Sequence, residues 1–299
     1  MVYEERIYLI GATGNIGKPL VHKLLTNPTV ALTLHTRTSS KVQEIFGSDH
    51  PEGKVTIIEG DYENQKPFQD SIAGHTRLFL LLSSTNETPR IAREFAETAY
   101  SAGVQQIVVI SGIVASLPWR STTFSQTTQK LEQDLLDISN RKAVVTLRPA
   151  YFMSNIFAGT DVTSIKTANK VVDTRTEDQT RAWISPKDIG ELSAIILQDP
   201  IEKHGDAVYE MIGDPRTAVE QAKSLSRVLG REIVYEKISE EQFYEKMTKY
   251  AGMPHRLAFM FLQMSALLTQ SATPGLSVLL GRAPQTLEEW IEENKAAFL

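Results

Sequence analysis

The sequence predicts a doubly wound α/β fold, a parallel sheet with helices on both faces, followed by a smaller and mostly helical C-terminal lobe. Three observations carry this expectation. Short β-rich runs alternate with longer helical patterns through the first half of the chain, the order expected when crossover helices connect parallel strands. A glycine-spaced turn, GATGNIG at 11–17, joins the first of these runs to the first helix. The rhythm then breaks after Arg148-Pro149, where a mixed and polar stretch begins.

The strand runs are RIYLIG (6–11), VALTLHT (30–36), KVTIIEG (54–60), RLFLLLS (77–83), QIVVISG (106–112) and AVVTLR (143–148). Helical patterns fall between them at about 15–27, 38–47, 64–73, 87–102 and 124–139. Six strands with right-handed crossovers close a sheet of Rossmann type. In the later half, TRTEDQTR at 174–181 reads as an exposed turn. Ser185-Pro186 then opens a helix that stops before Pro200, and another helix over 217–229 ends at Gly230. The expected division is a dinucleotide-binding domain over 1–150, to which 183–198 returns, and a substrate lobe over 151–182 and 199–299.

Composition narrows the function. With 31 Lys+Arg against 36 Asp+Glu the net charge is -5, so neither nucleic acid nor an anionic membrane is an expected partner. The chain has no cysteine, which removes disulfides, thiolate nucleophiles and thiolate metal sites. Its six histidines form no H-x-x-x-H pair, and no metal site is expected. LAFMFLQMSALL at 257–268 is shorter than the roughly 20 residues of a membrane span and contains Gln263 and Ser265. A cytoplasmic enzyme or binding protein is the default expectation.

Gly11 suits the strand exit, Gly14 removes a side chain where a phosphate must approach, and Gly17 lets the helix pack close to the strand. The helix opening near Asn15 points free N–H groups and a positive dipole end at an anion. Thr13, Asn15 and Ile16 complete the turn as candidate contacts. The second strand end selects the nucleotide: a ribose 2'-hydroxyl calls for Asp or Glu, a 2'-phosphate for a cation. LHTRTSSK has no acid there but carries Arg37, Ser39 and Lys41, which favours NADP(H). Asp61 and Tyr62 follow strand three, where Asp61 either meets the adenine edge or caps the next helix. Ser83 and Ser84 follow strand four, near the expected pyrophosphate path.

With these residues the chain resembles the NmrA-like group of the atypical short-chain dehydrogenase/reductase superfamily, which includes quinone reductases, isoflavone-type reductases and NADPH sensors. The resemblance rests on GATGNIG, Arg37, GDY (60–62), VVISG (108–112), LRPAYFMSNI (147–156) and WISPKDIGE (183–191). It implies roles for a Ser after strand five and a Lys on the next helix, here Ser111 and Lys130. In the wider superfamily a Tyr stands four residues before that Lys and moves the proton while hydride transfers. Here the position holds Gln126, whose amide has no titrating proton. The proton source is then Lys130, Tyr151 or water, and an iminium substrate needs none at the moment of hydride transfer. Lys130 is equally placed to be a surface lysine paired with Asp134. Tyr151, Phe152 and Asn155 are implied near the nicotinamide, with Trp119 and the helix HRLAFMFLQMSALL as possible pocket walls.

Three functions follow from this reading. The first is an NADPH-dependent reductase of a small apolar electrophile such as a quinone, an enone or an imine. The second is an NADP(H)-sensing regulator that binds a protein partner without turnover, and the third a non-redox cyclase or isomerase on the same fold.

Overall fold

The computed structural model describes residues 3–157, 161–267 and 275–299. The first half runs β1 (Glu5–Ile10), α1 (Gly17–Leu25), β2 (Val30–Thr36), α2 (Ser39–Phe46), β3 (Val55–Glu59) and α3 (Lys66–Ser71). It continues with β4 (Arg77–Leu80), α4 (Thr88–Ser101), β5 (Gln106–Ile110), α5 (Thr123–Leu136) and β6 (Ala143–Pro149). Then come β7 (Tyr151–Phe152), α6 (Asp161–Ala168), β8 (Lys170–Asp173), β9 (Thr180–Ile184), α7 (Pro186–Ile196), α8 (Ile201–His204) and β10 (Val208–Met211). The chain closes with β11 (Asp214–Thr217), α9 (Ala218–Leu229), β12 (Val234–Lys237), α10 (Glu240–Glu245), α11 (His255–Leu267), α12 (Gly275–Leu280) and α13 (Leu287–Glu293).

The predicted doubly wound sheet is present, with seven strands in the order β10-β6-β5-β4-β1-β2-β3. β1 pairs in parallel with β2 on one side and β4 on the other. The chain therefore winds outward to β3 and returns across β1 to start its second half. That reversal leaves a crevice at the carboxyl ends of β1 and β4, where ligands of such sheets bind. β1 is buried on both faces, with Ile7, Tyr8, Leu9 and Ile10 all inaccessible, as a central parallel strand requires. Phe68 and Phe95 cross edge to face at 4.7 Å beneath it, in a core that also takes Leu78, Ile107 and Val144.

The chain divides into two compact units, Met1–Pro149 with Pro186–Glu210, and Ala150–Ser185 with Met211–Leu299. α7 and β10 thus belong with the sheet. α7 packs on α1 so tightly that a Cβ on Gly190 would lie 2.6 Å from the Ile16 carbonyl oxygen. Gly190→Ala is expected to cost about 1–3 kcal/mol through forced separation of the two helices, read as a lower urea midpoint. An unchanged midpoint would refute that packing account.

The second unit is more than a helical lobe, for it holds a three-stranded sheet, β11-β9-β7, and the pair β12-β8. Its core gathers Met153, Ile156, Trp183, Leu225, Trp290 and Phe298. One sequence expectation holds only in part: residues 176–178 of TRTEDQTR form an exposed turn, but Arg175 is 2% and Arg181 9% accessible, and β9 begins at Thr180. Both guanidiniums bind the buried Asp173 carboxylate, at 2.8 and 3.0 Å, and that pairing lets charged residues lie in a core. Among the described residues no helix is long and apolar enough to cross a membrane.

Candidate functional site

β1 ends at Ile10 and the chain turns at Gly11, whose φ of +93° suits only glycine. A Cβ on Gly17 would lie 2.2 Å from the Gly11 carbonyl oxygen, so α1 starts pressed against the turn. At Gly14 a Cβ would meet nothing closer than 3.6 Å. Protein packing does not require glycine there; its bareness leaves the space in front of the turn clear. The N-terminus of α1 has no side-chain cap and no acid in its first turn, so its N–H groups are available to an anion.

In front of this turn lies a cleft of about 570 Å3. Of the sequence-predicted residues, Gly11, Thr13, Gly14, Arg37, Lys41, Tyr62 and Ser83 line it. Arg37 and Lys41 are exposed at its β2 end. Burial pushes the Tyr62 phenol up, opposed by the charge of Arg37 nearby. Asn15, Ile16, Gly17, Ser39, Asp61 and Ser84 are not among the lining residues. Ser39 donates its backbone N–H to Glu59 at 3.1 Å, and these hydrogen bonds hold the Glu59 carboxyl below its usual range. Asp61 accepts the backbone N–H groups of Glu63 and Asn64 at 2.9 and 2.7 Å, which makes it a turn-former rather than a cap of α3.

The cleft also takes His35, Thr36, Thr38, Gly60, Leu81 and Leu82, none of which was singled out from sequence. The same strand-end rule that selected Ser83 applies to all of them. His35 stands two residues before Arg37 along the strand, on the same side.

The residues carried over for chemistry lie elsewhere. Ser111, just past β5, is 8% accessible and donates its hydroxyl to Glu132 at 2.5 Å. Glu132 in turn is gripped by Arg148 through Nε at 3.0 Å and Nη2 at 2.5 Å. Arg148 also donates to Ser116 at 3.2 Å, and Ser116 to Glu210. This carboxylate-centred network joins the ends of β5, β6 and β10, and no sequence spacing announces it. Lys130 points outward from α5 with 54% of its side chain accessible and pairs with Asp134. Gln126 is exposed on the same helix. Trp119 is 59% accessible, in a turn where the Pro118 carbonyl accepts from Ser121 at 3.1 Å.

Within the second unit, Tyr151 meets Trp183 edge to face at 5.1 Å and Phe261 at 6.2 Å. The Arg181 guanidinium lies over its ring at 4.4 Å. Phe152 pairs with Ile184 in β7 and β9, and Asn155 is half-buried in the short helix Met153–Phe157. α11 supplies Phe261; Leu268, the last residue of the expected pocket wall, lies outside the described residues.

A glycine turn at the switch point of a parallel sheet, opening an uncapped helix onto a cleft, defines a dinucleotide-binding protein of Rossmann type. The model of the NAD(P)H-binding family matches residues 11–200, and the chain belongs to that family. A reductase of Streptomyces griseus subsp. griseus, the (4-alkanoyl-5-oxo-2,5-dihydrofuran-3-yl)methyl phosphate reductase, is 26% identical over 98% of this chain and 99% of its own. The NADPH-dependent quinone oxidoreductase QOR2 of Escherichia coli, solved with NADPH, superposes with a TM-score of 0.81 at 22% identity, covering 97% of this chain and 99% of that one. NmrA, a negative transcriptional regulator solved with NAD, superposes with a TM-score of 0.74 at 16% identity, covering 99% and 98%. At such identities the two structures establish the fold alone. A regulator and a reductase share it, so activity is argued from the residues.

Proposed function

We propose that the protein is an NADPH-dependent reductase of a small apolar electrophile, a quinone, an enone or an imine or iminium. That it is an oxidoreductase using a nicotinamide cofactor rests on its family and on the reductase that matches it end to end. Preference for the 2'-phosphate is supported by two exposed cations, Arg37 and Lys41, on the cleft. When bound, the cofactor supplies hydride. We assign substrate binding to the second unit, with Tyr151, Phe152 and Asn155 as its candidate contacts, and Trp119 of the first unit as a further candidate.

One observation carries the substrate class. The hydroxyl of Ser111 is committed to Glu132, and an exposed Gln126 stands where an acid would be needed. A site without an aimed proton donor suits acceptors whose reduction does not depend on protonation at the moment of hydride transfer. Iminium ions and quinones meet that condition better than simple ketones.

The test is a panel of quinones, enones, cyclic iminium ions and ketones, scored by loss of reduced-nicotinamide absorbance. Turnover is expected with at least one iminium or quinone and not with ketones. A protein that binds NADPH and oxidises none of the panel would defeat the proposal. The sensor reading draws support from the outward, ion-paired Lys130; it requires capture of a protein partner that differs between NADPH, NADP+ and no nucleotide.

A further inference from the structure

We propose that Glu59 is a selectivity residue of the cofactor cleft, a carboxylate that works against the 2'-phosphate held by Arg37 and Lys41 and so keeps the nucleotide preference moderate. The inference rests on the reading of those two cations as the phosphate contact. It adds the acid that the β2 end lacks in sequence.

Three observations converge on it. The first is placement. Glu59 is the last residue of β3 and pairs in register with Thr36, the last residue of β2. Its chain neighbour Gly60, its strand partner Thr36, and Arg37, Thr38 and Lys41 beyond that partner all line the cleft. In dinucleotide folds an acid at this level reads the ribose hydroxyl, and a cation the 2'-phosphate. Here the neighbouring strand brings an acid to the place where β2 itself supplies a cation.

The second observation is the way α2 begins. Its N-cap, Thr38, makes no side-chain hydrogen bond to the helix, and the first turn holds no acid. The Thr36 hydroxyl is spent on Thr38, accepting its N–H at 3.2 Å and donating to its carbonyl at 3.1 Å. The Ser39 N–H is left to Glu59, which accepts it at 3.1 Å. One hydrogen bond from another strand thus anchors a carboxylate on the residue midway between Arg37 and Lys41, no more than about 7 Å of chain from either.

The third is the charge of that carboxyl. Hydrogen bonds from the Ser39 side chain and backbone hold it below the usual carboxylate range, so it is ionised at neutral pH. Among the described residues it has no ion-pair partner. Glu59 is exposed and is not itself among the lining residues. It acts on a bound phosphate through charge across water and salt, and not through contact.

Glu59→Gln isolates that charge, because the amide oxygen still accepts the Ser39 N–H. Fluorescence titration of the intact protein with NADPH and with NADH, in wild type, Glu59→Gln and Arg37→Gln, tests the assignment. Glu59→Gln is expected to bind NADPH about two- to fivefold more tightly, the size of one charge acting on a dianion across roughly 8–10 Å of salt water. NADH affinity and the urea midpoint are expected to stay as in wild type. At high salt the gain is expected to vanish, since screening removes an effect of charge at a distance. Unchanged NADPH affinity in Glu59→Gln, beside a loss in Arg37→Gln, overturns the role of Glu59 and leaves the phosphate reading standing. An equal change for both nucleotides also overturns it, because Glu59 is then only the group that shapes the start of α2. If Arg37→Gln alters the affinity of neither nucleotide, the phosphate reading itself has failed and Glu59 falls with it.

Discussion

Arg37→Gln is expected to weaken NADPH binding about ten- to hundredfold, the range of one or two charge-assisted hydrogen bonds to phosphate. NADH, which has no 2'-phosphate, is expected to bind the variant about as well as wild type. β2 finishes at Thr36, and the residue after such a strand end is the one expected to meet the ribose of a bound dinucleotide. Arg37 and Lys41 both line that part of the cleft, and both are exposed. A guanidinium meets a phosphate through two parallel N–H groups, which a lysine cannot imitate. Lys41→Gln is therefore expected to have the smaller effect. Because both cations are exposed, raising ionic strength should narrow the preference of wild type for NADPH. Glu59 lies close by but is occupied with the N–H of Ser39. Fluorescence titration of both reduced nucleotides, in both variants and at two salt concentrations, reads all of these outcomes. A parallel loss of NADPH and NADH affinity in Arg37→Gln would place the residue in the fold of the turn instead of on the 2'-phosphate.

The legible parts of the molecule are those governed by local rules. β2 runs from Val30 to Thr36, as the pattern VALTLHT predicts, and α9 ends at Gly230 with φ +68°, a left-handed cap readable from one glycine. Gly11 and Gly17 mark the turn for the same reason, since each answers a constraint within a few residues. What escapes is long-range. β7 is two residues long and has no periodicity to show, and β8 finds its partner β12 more than sixty residues later. Glu132 reaches Ser111 and Arg148 only because β5, α5 and β6 are adjacent in space. The TRTEDQTR stretch misleads only at Arg175 and Arg181, because charge at a single position signals solvent, whereas charges that meet can be buried together. His35 was one of six scattered histidines until the strand pairing set it against Gly60.

The largest stability effect is expected at Asp173 in the second unit. Its carboxylate lies between Arg175 Nε at 2.8 Å and Arg181 Nη2 at 3.0 Å, and it also accepts the Thr174 backbone N–H at 2.7 Å through its other oxygen. Burial would raise its pKa, but Arg181 and Arg175 outweigh burial and hold the carboxyl below its usual value. Arg175 carries the strain of the arrangement: burial first, and then Arg181, pull its pKa down to about 10 against the opposing charge of Asp173. Asp173→Asn preserves shape and removes the carboxylate that both buried guanidiniums share, a loss of about 3–5 kcal/mol at neutral pH. Since the folded-state pKa is depressed, the stabilisation is present above the unfolded carboxylate pKa of about 3.9. It is lost as pH falls through the lower folded-state value. Urea unfolding of wild type and Asp173→Asn should accordingly diverge most near pH 7 and converge in acid. Asp173→Asn combined with Arg181→Gln should recover part of the loss, because one of the two mutually repelling guanidiniums is then gone. A gap between wild type and Asp173→Asn that stays constant from pH 7 into acid would mean that the carboxylate acts there through shape and not through charge.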